Sequence, residues 1–199
     1  METIMKSFAV FDTETTGFKP EQGARILEIA VVKIDQDGSI LDTWSTLLNP
    51  GIDVPLGASD IHKIERDMLN DAPTFKDIYG DLIGILSDSI LVAHNAPFDI
   101  SFLKNEVSLI GEHWPTPVVA DTLTGARFLM PGLESYKLSN LAKIIGAEFE
   151  GDAHAALADT KVTAQLFMHL MKLTNNISWP MESTPTWPDI KPSGLSKSR

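Results

Sequence analysis

The pair Asp37-Gly38 stands between two runs of β-forming residues, Arg25–Ile34 and Ile40–Leu48. Glycine accepts the positive φ of a tight hairpin turn, so the two runs are predicted to fold back on each other antiparallel. The earlier run Ser7–Thr13, rich in Phe and Val and closed by Thr16-Gly17, predicts a third strand. The start of the chain therefore reads as an antiparallel meander. After a loop punctuated by Pro50, Gly51, Pro55 and Gly57, with room for one short helix, the pattern changes. Phe75, Ile78, Tyr79, Leu82, Ile85 and Leu86 recur at three and four, the period of one helix face. Short strands at Ile90–Ala93 and Val118–Ala120 then alternate with a helix opened by Pro97, a short helix Lys137–Ile145 and a long one Ala155–Leu173. In the long helix Val162, Leu166, Phe167, Leu170 and Leu173 are predicted to face inward. Strands first and strands mixed with helices later predict an α/β domain with a mixed central sheet flanked by helices.

A length of 199 residues suits one domain, here 1–174. Beyond it, 175–199 loses apolar periodicity and holds Pro180, Pro185, Pro188 and Pro192 with Trp179 and Trp187, the composition of a flexible tail. Acids outnumber bases 27 to 16, a formal charge of −11 that excludes a broad basic surface for nucleic acid. Any polyanion must be held locally. With no cysteine there is no disulfide framework, no thiolate metal site and no cysteine nucleophile. No apolar run approaches the roughly 18 residues of a membrane span, and a cytoplasmic protein is expected.

Asp12 and Glu14 lie two apart at the end of the first strand, which puts both carboxylates on one face. Paired carboxylates repel unless a cation sits between them, and a hard divalent ion such as Mg²⁺ or Mn²⁺ is the natural partner of oxygen ligands. Alone, such a pair is common on solvated strand ends. Asp99 follows a short strand in His94-Asn95-Ala96-Pro97-Phe98-Asp99, where an acid also suits the helix dipole. His154 and Asp159 open the last long helix, about 140° apart if both were helical, so the histidine belongs in the loop before it. What lifts these positions together is their joint order along the chain.

In that order the chain resembles the DnaQ-like 3′–5′ exonucleases of the DEDDh type. Their three motifs are matched by Phe11-Asp12-Thr13-Glu14-Thr15-Thr16-Gly17, by His94 through Asp99 and by His154 through Asp159. Ile61-His62-Lys63-Ile64, with lysine where the family usually has glycine, and Ala120-Asp121-Thr122 before a helix match weaker features. The class with a catalytic tyrosine four positions before the last aspartate is excluded by Ala155.

The resemblance implies an RNase H-like fold in which Asp12, Glu14, Asp99 and Asp159 hold two Mg²⁺ or Mn²⁺ ions. Two metals roughly 3.5–4 Å apart stabilise both the attacking and the leaving oxygen of a phosphoryl displacement. Asp12 would bridge them, and His154, of a residue type with an unperturbed pKa of about 6.5, would take the proton of the attacking water. Thr15, Phe18, His62 and Asn95 would line the pocket of the terminal nucleotide, with Phe98 beneath. His94 reads as structural, and His113 and His169 as bystanders. The implied substrate is a nucleic acid 3′ end, DNA ahead of RNA and single-stranded DNA ahead of duplex, with a DNA polymerase subunit as a possible protein partner. A 3′–5′ exoribonuclease of the RNase T or oligoribonuclease kind is the runner-up, and a non-catalytic binding module the reading from another class. Gln165-Leu166-Phe167-Met168-His169-Leu170 superficially resembles a sliding-clamp motif, but its helical period assigns it to the core.

Overall fold

A computed structural model describes residues 7–115, 117–150 and 155–174. Three antiparallel strands come first: β1 (Ser7–Thr15), β2 (Ile26–Asp35) and β3 (Ile40–Leu47). The hairpin joining β2 and β3 turns at Gly38, which has φ 88° as the Asp37-Gly38 signal requires. Helix α1 (Leu56–His62), a 3₁₀ turn at Arg66–Leu69 and helix α2 (Phe75–Leu86) follow. Then β4 (Ser89–Ala93), α3 (Ala96–Leu109), β5 (Val119–Asp121), α4 (Thr122–Leu129), α5 (Leu138–Ile145) and α6 (Ala156–Leu173) complete the order. The sheet runs β3-β2-β1-β4-β5, with β4 parallel to both β1 and β5. This is the mixed sheet expected from the sequence, and β1 is its middle strand.

Alternation along β1 assigns its side chains to two cores. Ala9 and Phe11 pack with Phe75, Leu82, Phe102 and Leu103 of α2 and α3. Val10 packs with Ala164 and Phe167 of α6 on the opposite face, where Phe8 also meets Phe167 edge to face at 4.7 Å. Burying each such large apolar side chain stabilises the fold by about 1.5–3 kcal/mol. Leu166 and Phe167 are fully buried, so the clamp-like hexapeptide is core. Leu173 is 43% exposed, contrary to the expected inward face, while Leu170 and Thr174 beside it are buried, so the last residue of α6 lies off its buried stripe.

A buried ion pair ties the loop after β1 to α3. The Arg25 guanidinium donates two hydrogen bonds of 2.7 Å to the two Glu106 carboxylate oxygens, and Glu106 also accepts from the Ile26 N–H. Thr16 and Arg25 close the same loop through Thr16 N–H to Arg25 C=O and Arg25 N–H to Thr16 Oγ1, each 2.9 Å. The register of β1 shifts between Glu14 and Thr15 at this point.

Candidate active site

Because Asp12 and Glu14 continue the even-numbered face of β1, they point to the α6 side of the sheet. Asp159, one turn inside α6, meets them there. Ligand oxygens of Asp12, Glu14 and Asp159 all lie within 4.8 Å of one another. Residues from the first strand and the last helix thus form one carboxylate cluster.

Asp99 arrives from the other face. It sits in the first turn of α3, 3% exposed, and its Oδ1 accepts from the Thr13 N–H at 3.1 Å and from Thr13 Oγ1 at 2.7 Å. Thr13 belongs to the odd-numbered face of β1, which is why Asp99 bonds it rather than joining the trio. It is still close enough to act on Asp12 and Glu14 by charge.

Like charges and burial dominate the electrostatics. Burial first, then the charges of Asp99, Asp159, Glu14 and Glu28, hold the Asp12 carboxyl well above the usual range. Burial and the charge of Asp159 push Glu14 up to about 8. Burial raises Asp99 to about 7, although the Thr13 hydrogen bonds pull the other way. A divalent cation relieves such crowding directly, and an all-carboxylate donor set suits Mg²⁺ or Mn²⁺.

The sequence reading missed Glu28. It lies on β2 directly opposite Glu14, its pKa raised mainly by burial, and its Oε2 accepts from the Ala156 N–H at 3.2 Å at the start of α6. An acid inside the otherwise apolar run Ile26–Val32 is the one sequence signal that could have found it. Asp121 is the second positioning acid. Its Oδ1 accepts from the N–H groups of Asn95 (2.9 Å), Ala96 (3.2 Å) and Leu123 (3.1 Å), and its Oδ2 from Thr124. One carboxylate therefore caps α4 and clamps the turn that carries Asp99 into α3.

Among the described residues, two cavities lie beside the cluster. One, of about 330 Å³, is lined by Thr13, Glu14, Thr15, Phe18, Ile61, His62 and Phe98 among others. Phe18 is 80% exposed at this cavity, so it is not a packing residue, while Phe98 leans on Phe102 with ring centroids 5.0 Å apart. The Thr15 hydroxyl is engaged by the Gly17 carbonyl at 2.7 Å. His62 is buried, its Nδ1 accepts from the Ile64 N–H, and its Nε2 is buried with no hydrogen-bond partner among the described residues.

Asn95 lines the other cavity, of about 840 Å³, with His94, Arg127, Tyr136, Lys137 and Asp159. It was expected beside Phe18, but its left-handed backbone (φ 67°), pinned by Asp121, belongs to the α4 side of the turn. His94 is structural as expected: Nε2 donates to the Tyr136 carbonyl and Nδ1 meets Thr122 Oγ1, each at 3.0 Å. His154, the expected base, and 175–199 lie outside the described residues.

Comparison with known proteins decides the family. A family model described as exonuclease, of the RNase T group, matches residues 9–167. The chain belongs to the DnaQ-like (DEDDh) exonuclease family. This DEDDh exonuclease is 40% identical over 163 residues to the DNA polymerase III subunit epsilon of Treponema pallidum, covering 81% of the chain and 74% of the relative. It is 36% identical over 171 residues to a DNA polymerase III of PolC type from Clostridium perfringens, of which the match spans 12% and which covers 86% of the chain. It spans 24% of a subunit epsilon-like protein from Rhodobacter capsulatus, so its match covers only a small part of these longer relatives. Among solved structures, exonuclease X in complex with 5′ overhanging duplex DNA superposes with a TM-score of 0.70 at 28% identity, covering 86% of this chain and 95% of that one. The nuclease domain of 3′hExo, a DEDDh family member bound to rAMP, reaches 0.76 at 18% identity over 92% and 99% of the two chains. The fold of this DEDDh exonuclease is RNase H-like. Among the described residues no helix is long and apolar enough to cross a membrane.

Proposed function

We propose that this chain is a metal-dependent 3′–5′ exonuclease that releases nucleoside 5′-monophosphates from DNA 3′ ends, single-stranded ends foremost. The convergence of Asp12, Glu14 and Asp159 within 4.8 Å carries this reading. Asp12, Glu14 and Asp159 hold the divalent ion or ions, and Asp99, set by Thr13, completes the set. Bound there, two Mg²⁺ or Mn²⁺ ions would polarise the scissile phosphate and stabilise the charge that develops on it. His154, two residues before α6 in the sequence, takes the proton of the attacking water as general base. The oxygen of that water joins phosphorus while the bond from phosphorus to the upstream 3′ oxygen breaks. The products are a 5′-monophosphate and a shortened strand with a 3′ hydroxyl.

The cavity beside Glu14 suits the departing nucleotide. Phe18 and Phe98 offer aromatic faces to any base, which fits trimming without sequence preference. The buried Nε2 of His62, which has no hydrogen-bond partner among the described residues, supplies a donor to a sugar or phosphate oxygen. Exonuclease X, named with duplex DNA, and the epsilon relatives support DNA as substrate and a DNA polymerase as the protein partner to test.

End-labelled single-stranded DNA, mismatched duplex DNA and RNA, each incubated with Mg²⁺, Mn²⁺ or a chelator, test the proposal. Shortening from the 3′ end that stops with the chelator is expected, and Asp12→Ala or Asp159→Asn should abolish it in a folded protein. Degradation from the 5′ end, or activity that survives chelation, overturns it. A preference for RNA would transfer the reading to an exoribonuclease.

A further inference from the structure

The carboxylate cluster opens into two cavities, and the departing nucleotide needs only one. The other, about 840 Å³ and lined by Asp159, carries Arg127 and Lys137 on its α4 and α5 side, with Glu134 in the intervening loop as the other acid of its lining. These are the cations that line a cavity shared with a member of the trio. Lys161 and Lys172 line a separate cavity that contains none of the three, and Lys161 is paired with Glu150. Among the described residues neither Arg127 nor Lys137 forms an ion pair, although the chain carries a net charge of −11. In so acidic a protein, two cations beside the cluster that are in no ion pair among the described residues, Glu134 of the same cavity included, stand out.

Arg127 is also held in place. Its guanidinium lies 5.9 Å from the centroid of the Tyr136 ring, within cation–π range. That ring is anchored at its far end, where the hydroxyl donates to the Met130 carbonyl at 2.9 Å and accepts from the Leu133 N–H at 3.3 Å. A cation stacked on a fixed ring loses less freedom when it binds an anion. Ser135 and Ser139 line the same cavity and add hydroxyl donors.

We infer that the Arg127–Lys137 cleft is a binding site for the phosphodiester backbone of the strand that remains after cleavage, just upstream of the scissile phosphate. This rests on the hydrolytic reading above, in which the terminal nucleotide occupies the Phe18–His62 cavity. With Glu14 in one cavity and Asp159 in the other, a strand crossing the cluster passes from the first into the second. Local capture of this kind gives an acidic protein its hold on a polyanion without a basic surface.

The test compares two substrates that share the terminal nucleotide. The p-nitrophenyl ester of thymidine 5′-monophosphate has no upstream phosphate, whereas a single-stranded DNA 12-mer does. For the double variant Arg127→Ala/Lys137→Ala, the ratio of kcat/KM on the 12-mer to kcat/KM on the ester should fall about tenfold, most of it in the KM of the 12-mer, as two screened charge contacts predict. The slope of log KM against log salt for the 12-mer should become shallower by about 1.4, the effect of two phosphate contacts on a single strand. Arg127→Lys/Lys137→Arg, which keeps both charges, should restore most of the ratio and the slope. An unchanged ratio and slope, or equal loss on both substrates, overturns the inference. If the wild type hydrolyses neither substrate, the hydrolytic reading fails separately. Anisotropy of a fluorescent 12-mer in chelator then decides the cleft: weaker binding by the double variant supports it, and equal binding overturns it.

Discussion

The Glu28 carboxylate and the Ala156 N–H, joined at 3.2 Å, tie the strand opposite Glu14 to the first turn of the helix that carries Asp159. The bond satisfies one of the free N–H groups at the start of α6, and a carboxylate there also complements the helix dipole. Glu28→Ala should therefore cost about 1 kcal/mol of stability, the usual loss for a helix cap. It should also lower kcat more than it raises KM, because Asp159 loses its fixed approach. Glu28→Gln, which keeps an acceptor, should recover the stability. Denaturant unfolding and steady-state kinetics check both, and a Glu28→Ala variant with wild-type kcat would remove the positioning role.

The raised carboxyl groups make metal-free stability depend on pH in a definite direction. Glu14 titrates near 8 and Asp99 near 7 in the fold, against ordinary values near 4 when unfolded. Between these limits the native state binds more protons than the unfolded chain, so stability falls as pH rises. In chelator the Tm should drop by several degrees between pH 5 and pH 8.5. Added Mg²⁺ should raise the Tm more at pH 8 than at pH 5.5, because only the ionised cluster binds it well. Calorimetric scans at the two pH values suffice, and a flat or rising metal-free profile would contradict the electrostatics described above.

Thr13 reaches Asp99 through its hydroxyl as well as its N–H. Thr13→Val keeps shape and the backbone bond but removes the 2.7 Å hydroxyl contact that lowers the Asp99 pKa. A buried hydrogen bond to a charged group is worth about 1.5–3 kcal/mol. The Mg²⁺ concentration for half-maximal activity should rise several-fold in this variant at neutral pH and less at pH 9. Identical metal activation curves would show that Asp99 is not coupled to metal binding.

Removing one side of the Arg25–Glu106 pair should be far from neutral. Glu106 is almost wholly buried, whereas the Arg25 side chain is 25% exposed. Arg25→Ala strands a buried carboxylate and should cost about 3–5 kcal/mol, while Glu106→Ala leaves a guanidinium that reaches water and should cost less. Chemical denaturation of the two variants measures the difference. Equal losses would mean that burial of the acid does not set the cost.

Elements with strong local signals were legible from sequence. The β2–β3 hairpin follows from Asp37-Gly38, and α2 from the spacing of Phe75, Ile78, Tyr79 and Leu82, because turn chemistry and helix period act within a few residues. Asp12 and Glu14 were legible as a pair because strand alternation fixes them to one face. That Asp159 would join them needed the motif order, since no local rule brings a last helix to a first strand. Glu28 was missed, and Asp121 was noted only as part of a weaker motif, because each acts on backbone N–H groups of a distant segment, a role that the residue pattern does not specify. That Asn95 lines a different cavity from Phe18 was not legible, because it depends on the left-handed backbone at this turn.

The cluster also has a history within each molecule. Asp12 and Glu14 are made early in synthesis and Asp159 late, and only docking of α6 across the sheet brings the third carboxylate to the first two. A nascent or partly degraded chain that lacks α6 keeps Asp12 and Glu14 without the third carboxylate of the cluster. Assembly of the carboxylate cluster is therefore a late event, completed only by the finished fold.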